Sequence, residues 1–289
     1  WRPPMRLLFI GGGNMAQAIL GGLIAQNIPP EKFCVVEPSA DARNTIAGLG
    51  ARGFSAFSSD LLDCDAIVLA VKPQMMKVAV SPLVGRLTSQ VVISIAAGVD
   101  TSNLARWLGS ADVPYQNVVR TMPNTPALIR AGITGLYAAA GVNDLGKQLA
   151  QTLLGAVGKT VWFENESMLD VVTAVSGSGP AYVFYFIEAL EQAALELGFT
   201  QDNARLFASQ TFLGGAQLAA ASSESPGVLR ARVTSKRGTT ESAIGTFDKH
   251  ELKQAFIDGV KAACERSRQI GKELGNLPNA SMDVAGGGD

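Results

Sequence analysis

Phe9-Ile10-Gly11-Gly12-Gly13-Asn14-Met15-Ala16 joins a short apolar run to a helix-length stretch, and Gly11, Gly13 and Ala16 stand at the spacing G-x-G-x-x-A. The chemistry of such a turn is the holding of phosphate. A first glycine permits the sharp turn, a second lets the backbone approach a pyrophosphate, and a small third residue lets helix pack on sheet. The helix start adds unpaired N–H groups and the positive end of a dipole. Ile10, Gly11, Gly12, Gly13, Asn14 and Met15 therefore read as a dinucleotide-binding turn.

The next apolar run ends in Glu37-Pro38-Ser39, with Arg43 beyond it. A carboxylate at Glu37 would accept bonds from a ribose 2′-OH and repel a 2′-phosphate, whereas Ser39 and Arg43 would welcome one. The two signals conflict, so NAD(H) and NADP(H) both stay open. Ala70-Val71-Lys72-Pro73 and Ala96-Ala97-Gly98 end later apolar runs at the same edge, where small residues admit a nucleotide. Lys72 is a candidate for a phosphate or ribose contact, and a solvated strand-end lysine reads equally well. The Pro-framed segment Arg120 to Pro126, containing Asn124, is stiff enough to wall a nicotinamide pocket.

Two later segments are anion-friendly helix starts. Ser176-Gly177-Ser178-Gly179-Pro180 reads as a flexible turn feeding a helix. Thr234-Ser235-Lys236-Arg237-Gly238-Thr239-Thr240-Glu241 gathers hydroxyls, cations and a helix start, and plain capping is the simpler reading of either. The sequence holds one histidine, His250, in the polar run Asp248 to Glu251. No Ser-His triad or histidine metal centre can be built from it, and Cys34, Cys64 and Cys264 lack metal or redox spacing. Hydride addition to a carbonyl usually needs a proton donor for the forming alkoxide. A protonated imine needs much less, so the missing histidine tilts the reading toward a C=N substrate.

The elements that must position these groups follow a βαβ rhythm. Leu7–Ile10, Phe33–Val36, Ala66–Val71 and Val91–Ala96 are short continuous apolar runs, as expected of strands covered on both faces. Helices are expected over 14–26, 41–49, 74–87 and 101–108, and later strands over 118–121, 132–138 and 160–163. From about residue 165 no strand candidate remains, and helices are expected over 181–197, 201–221, a short piece from Pro226, one from Thr239 or Thr240, and 251–274. The expected fold is an α/β domain over 5–164, an all-α domain over 165–275 and a frayed tail over 276–289. Trp1–Pro4, ahead of Met5, reads as extraneous, since nothing there resembles a signal peptide.

Charge is balanced, with 24 Lys+Arg against 25 Asp+Glu, so the basic excess that attracts nucleic acid or anionic lipid is missing. No apolar span is long enough to cross a bilayer; the longest, Ala181–Leu190, is cut by Glu188. A cytoplasmic protein with reduced thiols is expected, with no metal, nucleic acid or membrane partner. Tyr182 to Ile187 is apolar around a whole helix, which asks for surroundings that a partner subunit would supply.

Taken in order, Ile10 to Met15, Ala70 to Gln74, Arg120 to Pro126, Ser176 to Ala181 and Val233 to Ile244 resemble the pyrroline-5-carboxylate reductase family, over essentially all of Met5 to Leu274. The resemblance implies a Rossmann domain, a helical dimerisation domain and assembly as dimers, often in a decameric ring. It implies reduction of Δ1-pyrroline-5-carboxylate, a cyclic imino acid, to L-proline with NADP(H) or NAD(H). The glycine turn and the Ala70 and Ala96 strand ends would hold the cofactor. Gly238, Thr239 and Thr240, with Ser178, would receive the substrate, and Thr240 would be catalytic. One departure stands out: where the family usually reads Ser-Pro-Gly-Gly-Thr-Thr, Lys236 and Arg237 follow Ser235. Two rival readings are a β-hydroxyacid dehydrogenase, for which Lys272 and Asn276 are the only suitably spaced pair, and a non-catalytic NAD(P)-binding sensor.

Overall fold

The computed structural model describes residues 5–110 and 112–275. The readings of residues 1–4 and 276–289 lie outside them. The chain forms two compact units. One comprises the described residues up to Thr173 and those from Cys264 on; the other is Ala174–Ala263.

The first unit is a Rossmann-type eight-stranded sheet in the order β3-β2-β1-β4-β5-β6-β7-β8. Its strands are β1 (Leu7–Ile10), β2 (Phe33–Val36), β3 (Arg52–Phe54), β4 (Ala66–Leu69), β5 (Val91–Ser94), β6 (Val118–Met122), β7 (Gly132–Ala138) and β8 (Gly158–Trp162). All neighbours pair parallel except β6 with β7. The four continuous apolar strands are buried at every position because each side of the sheet is covered. Leu7, Phe9, Val35, Val68 and Ile93 point into one core with Ile19, Leu20 and Leu23 of α1 (Asn14–Ala25). Leu8, Ile10, Ile67, Leu69 and Val92 point into the other, with Leu104 and Leu108 of α4 (Thr101–Leu108). α2 (Ala40–Gly48), α3 (Met76–Val80), α5 (Asp144–Gly155) and α6 (Met168–Val172) complete the unit with the end of the last helix.

Several expectations need correction. The single helix expected over 74–87 is broken into 3-10 turns at Pro73–Met75 and Ser81–Leu83 around the short α3. Pro82 lacks the N–H that a continuing helix needs. β3 and α5 were absent from the sequence reading. β3 is three residues long with two of them exposed, so it leaves no apolar signal.

The second unit is all helical: α7 (Gly179–Glu196), α8 (Gln201–Ala221), α9 (Pro226–Arg232), α10 (Thr239–Lys249) and the first half of α11 (Leu252–Gly275). Thr200 and Ser225 cap α8 and α9 through their hydroxyls, as their residue types favour. Tyr182 and Phe186 of α7 stack on Phe256 of α11, with centroid separations of 5.7 Å. Phe184, on the opposite side of α7, and Tyr185, edge-on to Phe186, are left 65% and 67% exposed by the chain's own packing.

Candidate active site

The C-terminal ends of β1, β4 and β5 lie side by side, and β1 is where the strand order reverses. That is the crevice in which open α/β sheets take ligands. Gly11 leaves β1 at φ +98°, and a Cβ there would lie 2.5 Å from the Ala70 carbonyl oxygen. Its N–H donates to Val36 O at 2.9 Å, while Ala70 N–H donates to Ile10 O at 2.8 Å, so the turn is stitched between both neighbouring strands. Gly12 is confined by side chains, since a Cβ there would meet Ile46 Cδ1 and lie 3.2 Å from Glu37 Cβ. Gly13 is different: it is exposed, with nothing within 4 Å of a Cβ position. It is the N-cap of α1, no side chain caps that end, and the first turn holds no acid. Unsatisfied N–H groups facing open space fit a pyrophosphate.

Ala70, Val71, Lys72 and Pro73 follow β4 directly, with Lys72 exposed. Ala96, Ala97 and Gly98 follow β5, Gly98 at φ +73° against Ile270. The glycine turn and both strand ends thus share the β1–β4–β5 edge. Asn124 is 9% exposed, and its Oδ1 accepts the Ile133 N–H at 2.9 Å. In this structure its carbonyl oxygen braces the Pro-framed loop against β7.

A buried ionic cluster lies behind that loop and was not anticipated. Arg120, 4% exposed in β6, reaches Glu166 at 3.3 Å and Asp170 at 3.2 Å. Glu166 also accepts the Thr101 N–H and hydroxyl, both at 2.7 Å, and Asp170 accepts the Ser267 hydroxyl at 2.8 Å. The available signal was an arginine inside the apolar run Val118-Val119-Arg120-Thr121, because a buried charge must be paired.

The helical unit carries the other candidate residues. Ser176–Pro180 is no flexible nest: a π-helical turn occupies Thr173–Gly177, and α7 starts at Gly179. Ser178 has right-handed helical angles at φ −83°, ψ −19°, and makes no side-chain cap bond. An anion nest needs alternating handedness, and no residue from Thr173 to Pro180 has positive φ. α10 starts at Thr239 with Gly238 as N-cap, so Thr240 does not cap it. The Gly238 N–H is already donated to Ser235 O at 3.0 Å, which removes it as a free anion donor. Glu241 reaches back to accept the Arg237 N–H at 2.6 Å, and Arg237 sits in the left-handed region at φ +60°. Lys236 and Arg237 are exposed, and Thr240 is half-buried. Among the described residues no group of three or more His, Cys, Asp or Glu could hold a metal ion.

Residues 166–270 match the model for pyrroline-5-carboxylate reductase dimerisation, and residues 6–98 match that for NADP oxidoreductase, coenzyme F420-dependent. A pyrroline-5-carboxylate reductase of Pseudomonas aeruginosa is 42% identical over 272 residues, covering 93% of this chain and 98% of that one. This chain belongs to the pyrroline-5-carboxylate reductase family. Among solved structures, the reductase of Coxiella burnetii superposes with a TM-score of 0.83 at 39% identity, covering 92% of this chain and 98% of the other. The Plasmodium falciparum pyrroline carboxylate reductase, solved with NADP bound, gives 0.82 at 29% identity over the same shares. The family thus accounts for both units, the sheet with its glycine turn and the helical region that the dimerisation model covers. No helix of the described residues is long and apolar enough to cross a membrane.

Proposed function

We propose that the chain reduces Δ1-pyrroline-5-carboxylate to L-proline with a nicotinamide dinucleotide. The observation that carries this reading is the 42% identity to a reductase of that name over nearly the whole of both chains. When bound, the reduced nicotinamide supplies hydride to the C=N carbon. Gly11 and Gly12 shape the turn, and the open face at Gly13, with Asn14 and Met15 starting α1, receives the pyrophosphate. Ile10, Ala70, Val71, Lys72, Pro73, Ala96, Ala97 and Gly98 line the strand ends beside it, and Asn124 holds the loop that walls the nicotinamide.

The substrate's part is assigned to the start of α10. Gly238 supplies the close approach, and the first-turn N–H groups of Thr239 and Thr240 anchor the carboxylate in place of the engaged Gly238 N–H. The Thr240 hydroxyl exchanges hydrogen bonds with the ring nitrogen as it changes from imine toward amine. Lys236 and Arg237 add a salt-sensitive attraction for the carboxylate. Ser178 is retained as a substrate neighbour through its place at the start of α7, not through a nest.

The domain reading of 5–164 for dinucleotide and 165–275 for dimerisation and substrate is kept as part of this proposal. Dimers form through the helical region, with the exposed Phe184 and Tyr185 as the apolar contact, and a decameric ring is the larger assembly proposed. The proposed compartment is the cytoplasm. A spectrophotometric assay of NADH and NADPH oxidation with pyrroline-5-carboxylate tests the activity; absence of turnover with both cofactors would reject it.

A further inference from the structure

Glu37 follows β2, and its half-buried carboxylate closes onto the glycine turn. Oε2 accepts the Gly12 N–H at 2.8 Å and Oε1 accepts the Ser39 N–H at 2.9 Å. Its own N–H donates to Phe54 O at 2.8 Å, which fixes the residue against β3. Arg43 turns back onto the chain: Nη1 donates to the carbonyls of Glu37 and Pro38, both at 2.7 Å, and its stem lies over Gly53. Ser39 is the N-cap of α2, its hydroxyl oxygen accepting the Ala42 N–H at 3.4 Å.

These contacts decide what the end of β2 can receive. A 2′-phosphate needs free N–H donors, a hydroxyl or a cation, and it carries charge of the same sign as Glu37. The N–H groups of Gly12 and Ser39 are already spent on the carboxylate. The bonds of Arg43 Nη1 to two carbonyls do not engage Nη2 or Nε, and the Ser39 hydroxyl keeps its proton, so it is the Glu37 charge beside them that opposes a phosphate. A ribose 2′-OH brings no charge and donates to a carboxylate. We infer that Glu37 is a specificity-determining residue, which makes this chain select the dinucleotide with a free ribose 2′-OH over its 2′-phosphorylated form. The inference rests on reading Gly11–Gly13 as the dinucleotide turn, and it sets this chain apart from the relative solved with NADP.

The test is a calorimetric titration of the full chain with ADP-ribose and with its adenosine 2′-phosphate derivative. These fragments carry the discriminating group and no nicotinamide, so binding is read without turnover. ADP-ribose should bind at least ~10-fold more tightly to the wild type, as expected when like charges are forced together. Glu37→Gln keeps the volume and removes the charge, and should bring the ratio of the two constants close to one. Glu37→Ser frees the Gly12 and Ser39 N–H groups and should shift the ratio toward the phosphorylated fragment. Each ratio is taken within one protein, so a change in stability cancels, and the wild-type ratio decides alone if a variant does not fold. Equal or tighter wild-type binding of the phosphorylated fragment overturns the inference, as does an unaltered ratio in both variants. Binding of neither fragment overturns it together with the dinucleotide reading beneath it.

Discussion

Arg120 Nη2 lies 3.2 Å from Asp170 Oδ1, and that oxygen also accepts the Ser267 hydroxyl at 2.8 Å. One carboxylate therefore ties the middle of the sheet to α6 and to the C-terminal half of α11. Arg120→Leu would leave Glu166 and Asp170 mostly buried without their cation. Removing one partner of such a group costs about 3–5 kcal/mol. A large fall in melting temperature is expected. Adding Glu166→Gln and Asp170→Asn should recover part of it, and a single substitution that melts like the wild type would show the cluster to be inert.

Gly11 and Gly13 should respond in opposite ways. Gly11→Ala places a Cβ against the Ala70 carbonyl at positive φ, so the fold itself should lose stability, the left-handed conformation alone costing about 1–2 kcal/mol. A Cβ at Gly13 has no chain atom within 4 Å, so Gly13→Val should melt normally, while dinucleotide affinity falls ~10-fold or more because the pyrophosphate loses its approach to backbone. Thermal melts beside cofactor titrations of both variants check the pair; undiminished binding by Gly13→Val would contradict the turn's assignment.

Phe184 should mark the subunit contact more cleanly than Phe186, which already packs against Phe256 within one chain. Phe184→Glu is expected to convert dimers to monomers while each monomer keeps its helical circular dichroism. Sedimentation velocity at micromolar concentration reads the result, and a wild-type monomer would remove the premise.

Thr240 is two residues past the N-cap of α10, so its hydroxyl is not needed to start the helix. Thr240→Val should therefore leave the melting temperature nearly unchanged and lower kcat by ~10²-fold if the hydroxyl acts in the transition state. Normal turnover would leave the proton route to another group.

Cys64 supplies a pH signature. Burial, helped by Asp65, pushes its thiol from 9.0 up to about 12. The folded state thus holds its proton more tightly than the unfolded state. The stabilisation is complete below pH 9 and is lost as pH rises from there toward 12. Denaturant midpoints should fall more steeply over that window for the wild type than for Cys64→Ser. Thiol-reactive dyes should also label Cys64 slowly near neutral pH.

The sheet was legible where burial on both faces forces continuous apolar runs, as at Leu7–Ile10 and Val91–Ser94. β3 was not, because an edge strand of Arg52, Gly53 and Phe54 needs only backbone pairing with β2. The glycine turn could be read from spacing alone, since its requirement is local. Glu37, Ser39 and Arg43 could not be ranked, because the answer lies in which backbone groups they reach across the β1–β2 junction. Ser176–Pro180 misled for a related reason. Its glycines permit a flexible turn, but Thr173–Gly177 coils as a π-turn and no residue from Thr173 to Pro180 has positive φ.

α11 supplies residues to both compact units, its last part returning Ser267, Ile270 and Leu274 to the unit that begins at the other end of the chain. On the ribosome, the nucleotide-binding half emerges first, yet Asp170 waits for the Ser267 hydroxyl until α11 has been made. N-terminal domains commonly fold during synthesis; here that half lacks the Ser267, Ile270 and Leu274 contacts until α11 has been made. A premature stop codon just beyond Ala263 would therefore injure the half encoded farthest upstream.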